Sequence, residues 1–147
     1  DAAGRFVVID TAPTGHTLLL LDSSRDFARR AASSGDHTDD AASTLFASLA
    51  DPHRTRIILV ALPEATPVHE ASSLQADLAR ANLHPWTWVA NASLAATATT
   101  DPVLRARAAD EGRWLAQIAA ASPRRAAVVP WLADDPTGAL ALRRLVG

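Results

Sequence analysis

Four short apolar segments, separated by stretches with helical periodicity, most constrain the fold of this chain. These segments lie at residues 6–10, 56–62, 86–91 and 126–131. They are rich in Val, Ile and Trp, which favour β-strands. Between them apolar residues recur at helical spacing, as at Val68, Ala71 and Leu78. Strands that alternate with helices imply an α/β fold, a parallel sheet with flanking helices. The continuous run RIILVAL at 56–62 predicts a strand buried on both faces.

Three of the predicted helices begin with a capping residue followed by proline. The pairs are Thr66-Pro67, Asp101-Pro102 and Asp135-Pro136. An oxygen at the N-cap accepts hydrogen bonds from the first turn, and proline fits the first helical position. The last of these helices is predicted to start at 135, and the other two are predicted over 66–81 and 101–121. Two further helices are predicted over 18–32 and 41–50, on either side of a polar loop at 33–40.

Polar residues follow each of the four predicted strands. In chain order, the residues at or just after the strand ends are Asp10, then Pro63-Glu64, then Asn91, then Pro130-Trp131 with Asp134-Asp135. Parallel strands all point the same way, so the residues that follow them converge on one edge of the sheet. Ligands of α/β proteins bind at that edge. The sequence therefore predicts a ligand site there.

The composition excludes several classes of partner and site. The net charge of −2 over 147 residues gives no reason to expect a nucleic-acid partner. No apolar run is long enough to span a membrane. There is no Cys, hence no thiolate metal site in these residues, and every one of the 14 basic residues is Arg. A phosphate-binding P-loop ends in Lys and is therefore missing. The chain has no Met, so we expect it to be a piece of a longer protein.

The stretch FVVIDTAPTGHTLLLLD at 6–22 has the order strand, acid, turn, helix. In nucleotide-hydrolysing α/β proteins an acid placed like Asp10 holds Mg²⁺, often through a water, although many strands end in Asp with no metal nearby. His16 either caps the following helix or takes part in a binding site. Asn91 is either a turn residue at a strand end or a hydrogen-bonding partner of a ligand.

The string DTAPTGHT at 10–17 resembles the signature of the ArsA/Get3 family, which comprises arsenite-pump-driving ATPases and targeting ATPases for tail-anchored proteins. Four further stretches are similar to this family in the same order: DPHRTRIILVALPEATPVHEA, LQADLARANLHPW, WVANASL and VVPWLADDPTG. The resemblance implies that residues 1–147 are the C-terminal portion of the second half of an ArsA-type ATPase. It implies a truncated P-loop NTPase domain of the SIMIBI type, lacking its N-terminal P-loop portion.

The resemblance also implies roles for individual residues. Asp10 would reach the nucleotide-bound Mg²⁺ through water, and Asp10 and Gly15 would be catalytic. A switch would link the nucleotide site to a metalloid site, with His16 as a possible metalloid ligand. The switch comprises Thr11, Ala12, Pro13, Thr14, Gly15, His16 and Thr17. Asn91 would hydrogen-bond adenine, and the backbone of Pro130, Trp131 and Leu132 would line the adenine pocket.

The implied cofactors are ATP and Mg²⁺, with arsenite or antimonite as effector through cysteines outside this segment. The implied partners are the missing N-terminal part or a facing ATPase half, and a membrane arsenite pump subunit that would hold a cytoplasmic protein at the inner membrane.

One departure from the family pattern is Ala92, where the family has a second Asn. Two alternatives stay open: a targeting ATPase for tail-anchored proteins, and a non-catalytic half that docks on a complete one. The absence of a CxxC motif and of Met favours the arsenite branch.

Overall fold

The computed structural model describes residues 6–11, 44 and 47–143. The chain forms two compact units, Asp1–Ser48 and Leu49–Gly147. In the first unit, residues 44, 47 and 48 are helical, which agrees with the helix predicted over 41–50. The helix predicted over 18–32 and the loop at 33–40 lie outside the described residues.

The strand predicted at residues 6–10 is wrong. Residues 6–11 form neither helix nor strand, and the side chains from Phe6 to Ile9 are 71–85% exposed. β-branched and aromatic residues stabilise a strand when neighbouring strands supply a hydrogen-bond ladder and the side chains are buried. Residues 6–9 have the composition of a strand without that burial.

The second unit contains a three-stranded parallel sheet with crossover helices. Its elements are β1 (Ile57–Ala61), α1 (Ala65–Arg80), β2 (Pro85–Ser93), α2 (Pro102–Ala121), β3 (Ala127–Pro130) and α3 (Gly138–Arg143). The strands lie in the order β1-β2-β3, so each crossover joins neighbouring strands. The α/β class and the parallel pairing predicted from the sequence are confirmed.

The core lies between the sheet and the two long helices. Helix α1 packs on β1, α2 packs on β2, and the helices contact each other, so both cover the same face of the sheet. The core residues include Leu59 and Trp88 from the sheet, Val68 from α1 and Ile118 from α2, each at most 5% exposed. Each of these residues belongs to the apolar pattern that predicted its element.

Gln75 connects the three parts of this core. The indole Nε1–H of Trp88 donates to Oε1 of Gln75 over 2.6 Å, and Nε2 of Gln75 donates to the carbonyl of Ala121 over 3.2 Å. A Trp at the centre of a core needs a partner for its N–H, because an unpaired buried donor is costly. Gln75 on α1 thus ties β2 to the end of α2.

The second face of β1 is open, which corrects the prediction of burial on both faces. Leu59 and Ala61 point to the helices, whereas Ile58 is 48% and Val60 is 59% exposed. Both crossovers join adjacent strands in the order β1-β2-β3, and two crossovers of the same hand place both helices on one side of the sheet. The run at 56–62 has the apolar composition of a strand buried on both faces. In the described part of this unit, however, no second layer of helices covers its exposed face.

The predicted helix starts are correct in one of three cases. Asp101 caps α2, accepting from the backbone N–H of Val103 over 2.8 Å and of Leu104 over 3.0 Å. Helix α1 begins at Ala65 with Glu64 at the N-cap, so Thr66 lies inside the first turn. Helix α3 begins at Gly138, later than the start predicted at the Asp135-Pro136 pair. Gly138 has a φ of 78°, a left-handed conformation that glycine adopts easily.

We predict that Gln75→Leu lowers the free energy of unfolding by about 1–3 kcal/mol, because the Trp88 indole N–H loses its acceptor inside the core. Urea denaturation followed by Trp fluorescence measures this change. Gln117→Leu is the matched control, since Gln117 is exposed on α2. Equal effects of the two substitutions would contradict the role given to Gln75.

Candidate functional site

A β-bulge lies near the carboxyl end of β2. Ala90 pairs with Val128 and Ser93 pairs with Pro130, so Asn91 and Ala92 stand opposite a single residue of β3. Ala92 has a φ of 52°, in the left-handed region that alanine rarely adopts. Bulges of this kind change the direction of a side chain and occur often beside binding sites. Here the side chain next to the strained residue is that of Asn91.

Hydrogen bonds tie the segment after β2 to the segment after β3. The backbone N–H of Trp131 donates to the carbonyl of Ser93 over 2.9 Å. The hydroxyl of Thr97 lies 3.2 Å from that same carbonyl oxygen and 3.1 Å from the carbonyl oxygen of Trp131, so it can donate to either. The two segments therefore form one continuous surface at the carboxyl edge of the sheet.

We call this surface the strand-end ledge and define it by the exposed side chains of Asn91, Trp131 and Leu132. Trp131 is 41% and Leu132 is 38% exposed, and Asn91 is exposed as well. The amide of Asn91 offers one acceptor and two donors, and the other two side chains offer apolar area. A planar, partly apolar ligand with donors and acceptors on its edge, such as a nucleobase, matches this combination.

A buried carboxylate supports the ledge from below. Glu111 on α2 is 7% exposed and accepts from the Ser93 hydroxyl over 2.7 Å, the Leu94 N–H over 3.0 Å and the Ala95 N–H over 3.0 Å. Consecutive backbone N–H groups turned toward one anion form a favourable electrostatic site. In the described part of the chain, Glu111 forms no ion pair with Arg or His. Its charge is compensated by these three donors.

Glu111 is not among the residues predicted for the site, although the helical pattern contained a signal for it. The predicted inner face of α2 comprised Leu104, Ala108, Leu115 and Ile118. Position 111 lies on the same face at helical spacing, so a carboxylate stands where the period places a core residue. A buried acid must find donors, and this expectation would have pointed to a nearby loop.

The structure brings together some of the residues predicted for the site. Asn91 and residues 130–132 lie at one edge, and Glu64, which follows β1, forms an ion pair with Arg107 over 3.5 Å. This part of the predicted convergence is confirmed, because β1, β2 and β3 all end along that edge. Asp10 and Thr11 are exposed and lie in the first unit, outside any strand. The predicted switch residues Ala12, Pro13, Thr14, Gly15, His16 and Thr17 lie outside the described residues.

The described part of the chain contains neither a cluster of metal ligands nor a membrane-spanning helix. Among residues 6–11, 44 and 47–143, no group of three or more His, Cys, Asp or Glu side chains is placed to hold a metal ion. No helix in that part of the chain has the length and apolar character needed to cross a membrane.

The family profile and the individual relatives that this chain resembles agree on one protein family. The profile of the anion-transporting ATPase family matches residues 23–146. The chain is 47% identical over 151 residues to an arsenical pump-driving ATPase of Escherichia coli, with 100% of the chain and 25% of that protein covered. It is also 47% identical over 150 residues to an arsenical pump-driving ATPase of Acidiphilium multivorum, with 99% of the chain and 25% of that protein covered. The chain thus spans about a quarter of the length of these relatives.

We predict that Ala92→Asn stabilises the chain by about 1 kcal/mol, because Asn tolerates left-handed φ better than Ala does. The reciprocal control is Asn82→Ala, since Asn82 has a φ of 60° and this change should destabilise by a similar amount. Urea denaturation of both variants checks the pair. A loss of stability in Ala92→Asn would contradict the strain assigned to the bulge.

Proposed function

Because the chain belongs to the anion-transporting ATPase family, we propose that its strand-end ledge binds the adenine of ATP. In this proposal, residues 1–147 form the C-terminal portion of an ArsA-type ATPase domain. The Asn91 amide hydrogen-bonds the edge of the base, and the backbone of Pro130, Trp131 and Leu132 lines the pocket. Hydrolysis of ATP then powers extrusion of arsenite or antimonite.

The joining of two separate segments at one edge is the observation that carries this proposal. Ser93 pairs with Pro130 and accepts from the Trp131 N–H over 2.9 Å, which places the end of β2 beside the end of β3. These are the two segments that the family resemblance associates with adenine. An exposed amide beside exposed apolar side chains suits a base, which has a polar edge and apolar faces.

ATP and Mg²⁺ are the cofactors of this proposal. Most ligands of Mg²⁺ in nucleotide sites are waters and substrate phosphates, and the protein supplies few carboxylates. One acid such as Asp10 is therefore sufficient. When bound, the ion neutralises charge that develops on the phosphates. Asp10 is exposed, and its carboxylate is available for such a role. Gly15 and the other residues of 11–17 form the switch in this proposal, with His16 at the metalloid site.

The proposed partners follow from the same family membership. They are the remaining part of the ATPase or a facing ATPase half, and a membrane pump subunit that holds a cytoplasmic protein at the inner membrane. The two relatives described above are both named arsenical pump-driving ATPases, which supports the arsenite branch of the family over the targeting branch.

We expect Asn91→Ala, in the full-length protein that contains this chain, to lower the preference for ATP over GTP about tenfold. Loss of a bidentate hydrogen bond between an amide and a base changes the ratio of dissociation constants by about this factor. Dissociation constants for the two nucleotides, measured by titration calorimetry, give the ratio. Gln117→Ala removes an exposed amide from α2 and serves as the control. An unchanged ratio in Asn91→Ala contradicts the adenine assignment.

For Asp10→Asn in the full-length protein, the expected result is a fall in ATP hydrolysis of about 100-fold or more with folding unchanged. The carboxylate would no longer orient the metal-bound water. Phosphate release measures turnover, and circular dichroism checks folding. Asp110→Asn, an exposed change of the same kind on α2, should leave turnover unaltered. Normal turnover in Asp10→Asn would remove Asp10 from the proposed mechanism.

A further inference from the structure

We propose that Glu111 is the positioning residue of the strand-end ledge: its buried carboxylate fixes the backbone of residues 93–95 and thereby holds Asn91 in the orientation that base recognition requires. This inference rests on the proposed function of the ledge and adds a determinant of its selectivity. Glu111 itself is not placed against the nucleotide. It acts through the loop that follows β2.

The described contacts of the Glu111 carboxylate all go to one short segment. Oε2 accepts from the Ser93 hydroxyl over 2.7 Å and from the Ala95 N–H over 3.0 Å, and Oε1 accepts from the Leu94 N–H over 3.0 Å. Ser93 is 0% and Leu94 is 7% exposed, so water does not replace the bonds from these two residues in the folded chain, whereas Ala95 is exposed. One side chain on α2 thus fixes three successive residues of the loop.

The chemistry of this position requires a carboxylate. An apolar residue would suit the inner face of α2, yet it would leave the N–H groups of Leu94 and Ala95 without their acceptor. A glutamine has the same shape, but its NH₂ group is a donor. In either orientation of the amide, that donor would face a backbone N–H at the distance of a hydrogen bond. The position therefore requires a side chain with two acceptor oxygens, and a side chain of the same volume without them does not suffice.

The strained bulge carries the effect from the loop to the ledge. Ala92, with φ at 52°, lies between Asn91 and Ser93. A residue in an unfavourable conformation keeps it only when its surroundings determine it from both sides. On one side, Ala90 is paired with both β1 and β3. On the other side, Ser93 is held by Glu111 and by Trp131. Release of the Glu111 contacts would let the bulge relax and turn the Asn91 side chain.

The test compares Glu111→Gln with Asp110→Asn in the full-length protein that contains this chain. Both variants replace a carboxylate by the matching amide on neighbouring positions of α2, one buried and one exposed. We express the preference for ATP as the ratio of the Kd for GTP to the Kd for ATP, and we expect Glu111→Gln to lower this ratio about tenfold, the size of one lost hydrogen bond to a buried donor. Asp110→Asn should leave the ratio unchanged. A residue that only stabilises the fold would change the melting temperature without changing the ratio in the folded protein.

A double-mutant cycle tests whether Glu111 acts through Asn91. If it does, Asn91→Ala combined with Glu111→Gln should have the same ratio as Asn91→Ala by itself. Multiplying losses would contradict the positioning role. Should Glu111→Gln fail to fold, Ser93→Ala decides the question. That substitution removes one of the three donors, and a fall of about threefold in the ratio is expected.

The outcomes separate this inference from the function on which it rests. If the wild-type protein prefers ATP and Glu111→Gln preserves that preference, the positioning role is overturned while the ledge still binds adenine. If the wild-type protein shows no preference for ATP over GTP, the proposed function fails and the inference fails with it. A loss of preference in Glu111→Gln, absent in Asp110→Asn and masked by Asn91→Ala, supports both.

Discussion

The hydrogen bonds between the Glu111 carboxylate and residues 93–95 are the interaction on which the carboxyl edge of the sheet depends. A buried charge is tolerated when donors surround it, and here a hydroxyl and two backbone N–H groups do so at 2.7–3.0 Å. Loss of the acceptor would leave the N–H of the buried Leu94 unpaired, at a cost of about 1–3 kcal/mol. The same contacts join helix α2 to the end of β2. These hydrogen bonds therefore fix both the packing of helix α2 and the shape of the loop after β2.

The rest of the second unit places this loop where it can serve a ligand. The parallel order β1-β2-β3 brings the ends of all three strands to one edge, and Gln75 joins the central strand to both crossover helices. Ser93, Thr97 and Trp131 then connect the segments after β2 and β3 by backbone and hydroxyl hydrogen bonds. A base-sized ligand gains from a surface that is already ordered, because less conformational freedom is lost on binding.

The sequence predicted the features that depend on local pattern and missed those that depend on neighbours. Apolar runs and capping residues placed β1, β2 and β3 and the start of α2, because both act over a few residues. The strand predicted at 6–10 and the burial of 56–62 on both faces were wrong, since strand formation and burial require partners that composition does not specify. The strand pattern placed Asn91 at the predicted ligand edge, and the family resemblance gave it the role toward adenine. The bulge at Ala92 arises from strand register, which the sequence pattern does not encode. For Glu111 the helical period shows a carboxylate at a core position, but its partners depend on tertiary contact.

An experimental structure of the full-length protein with Mg-ADP would show where the base binds. We expect the adenine to lie on the strand-end ledge, with its edge within hydrogen-bond distance of the Asn91 amide. We also expect the Glu111 carboxylate to keep its contacts with Ser93, Leu94 and Ala95. An adenine bound elsewhere, with Asn91 directed into solvent, would show that the strand-end ledge is not the adenine site.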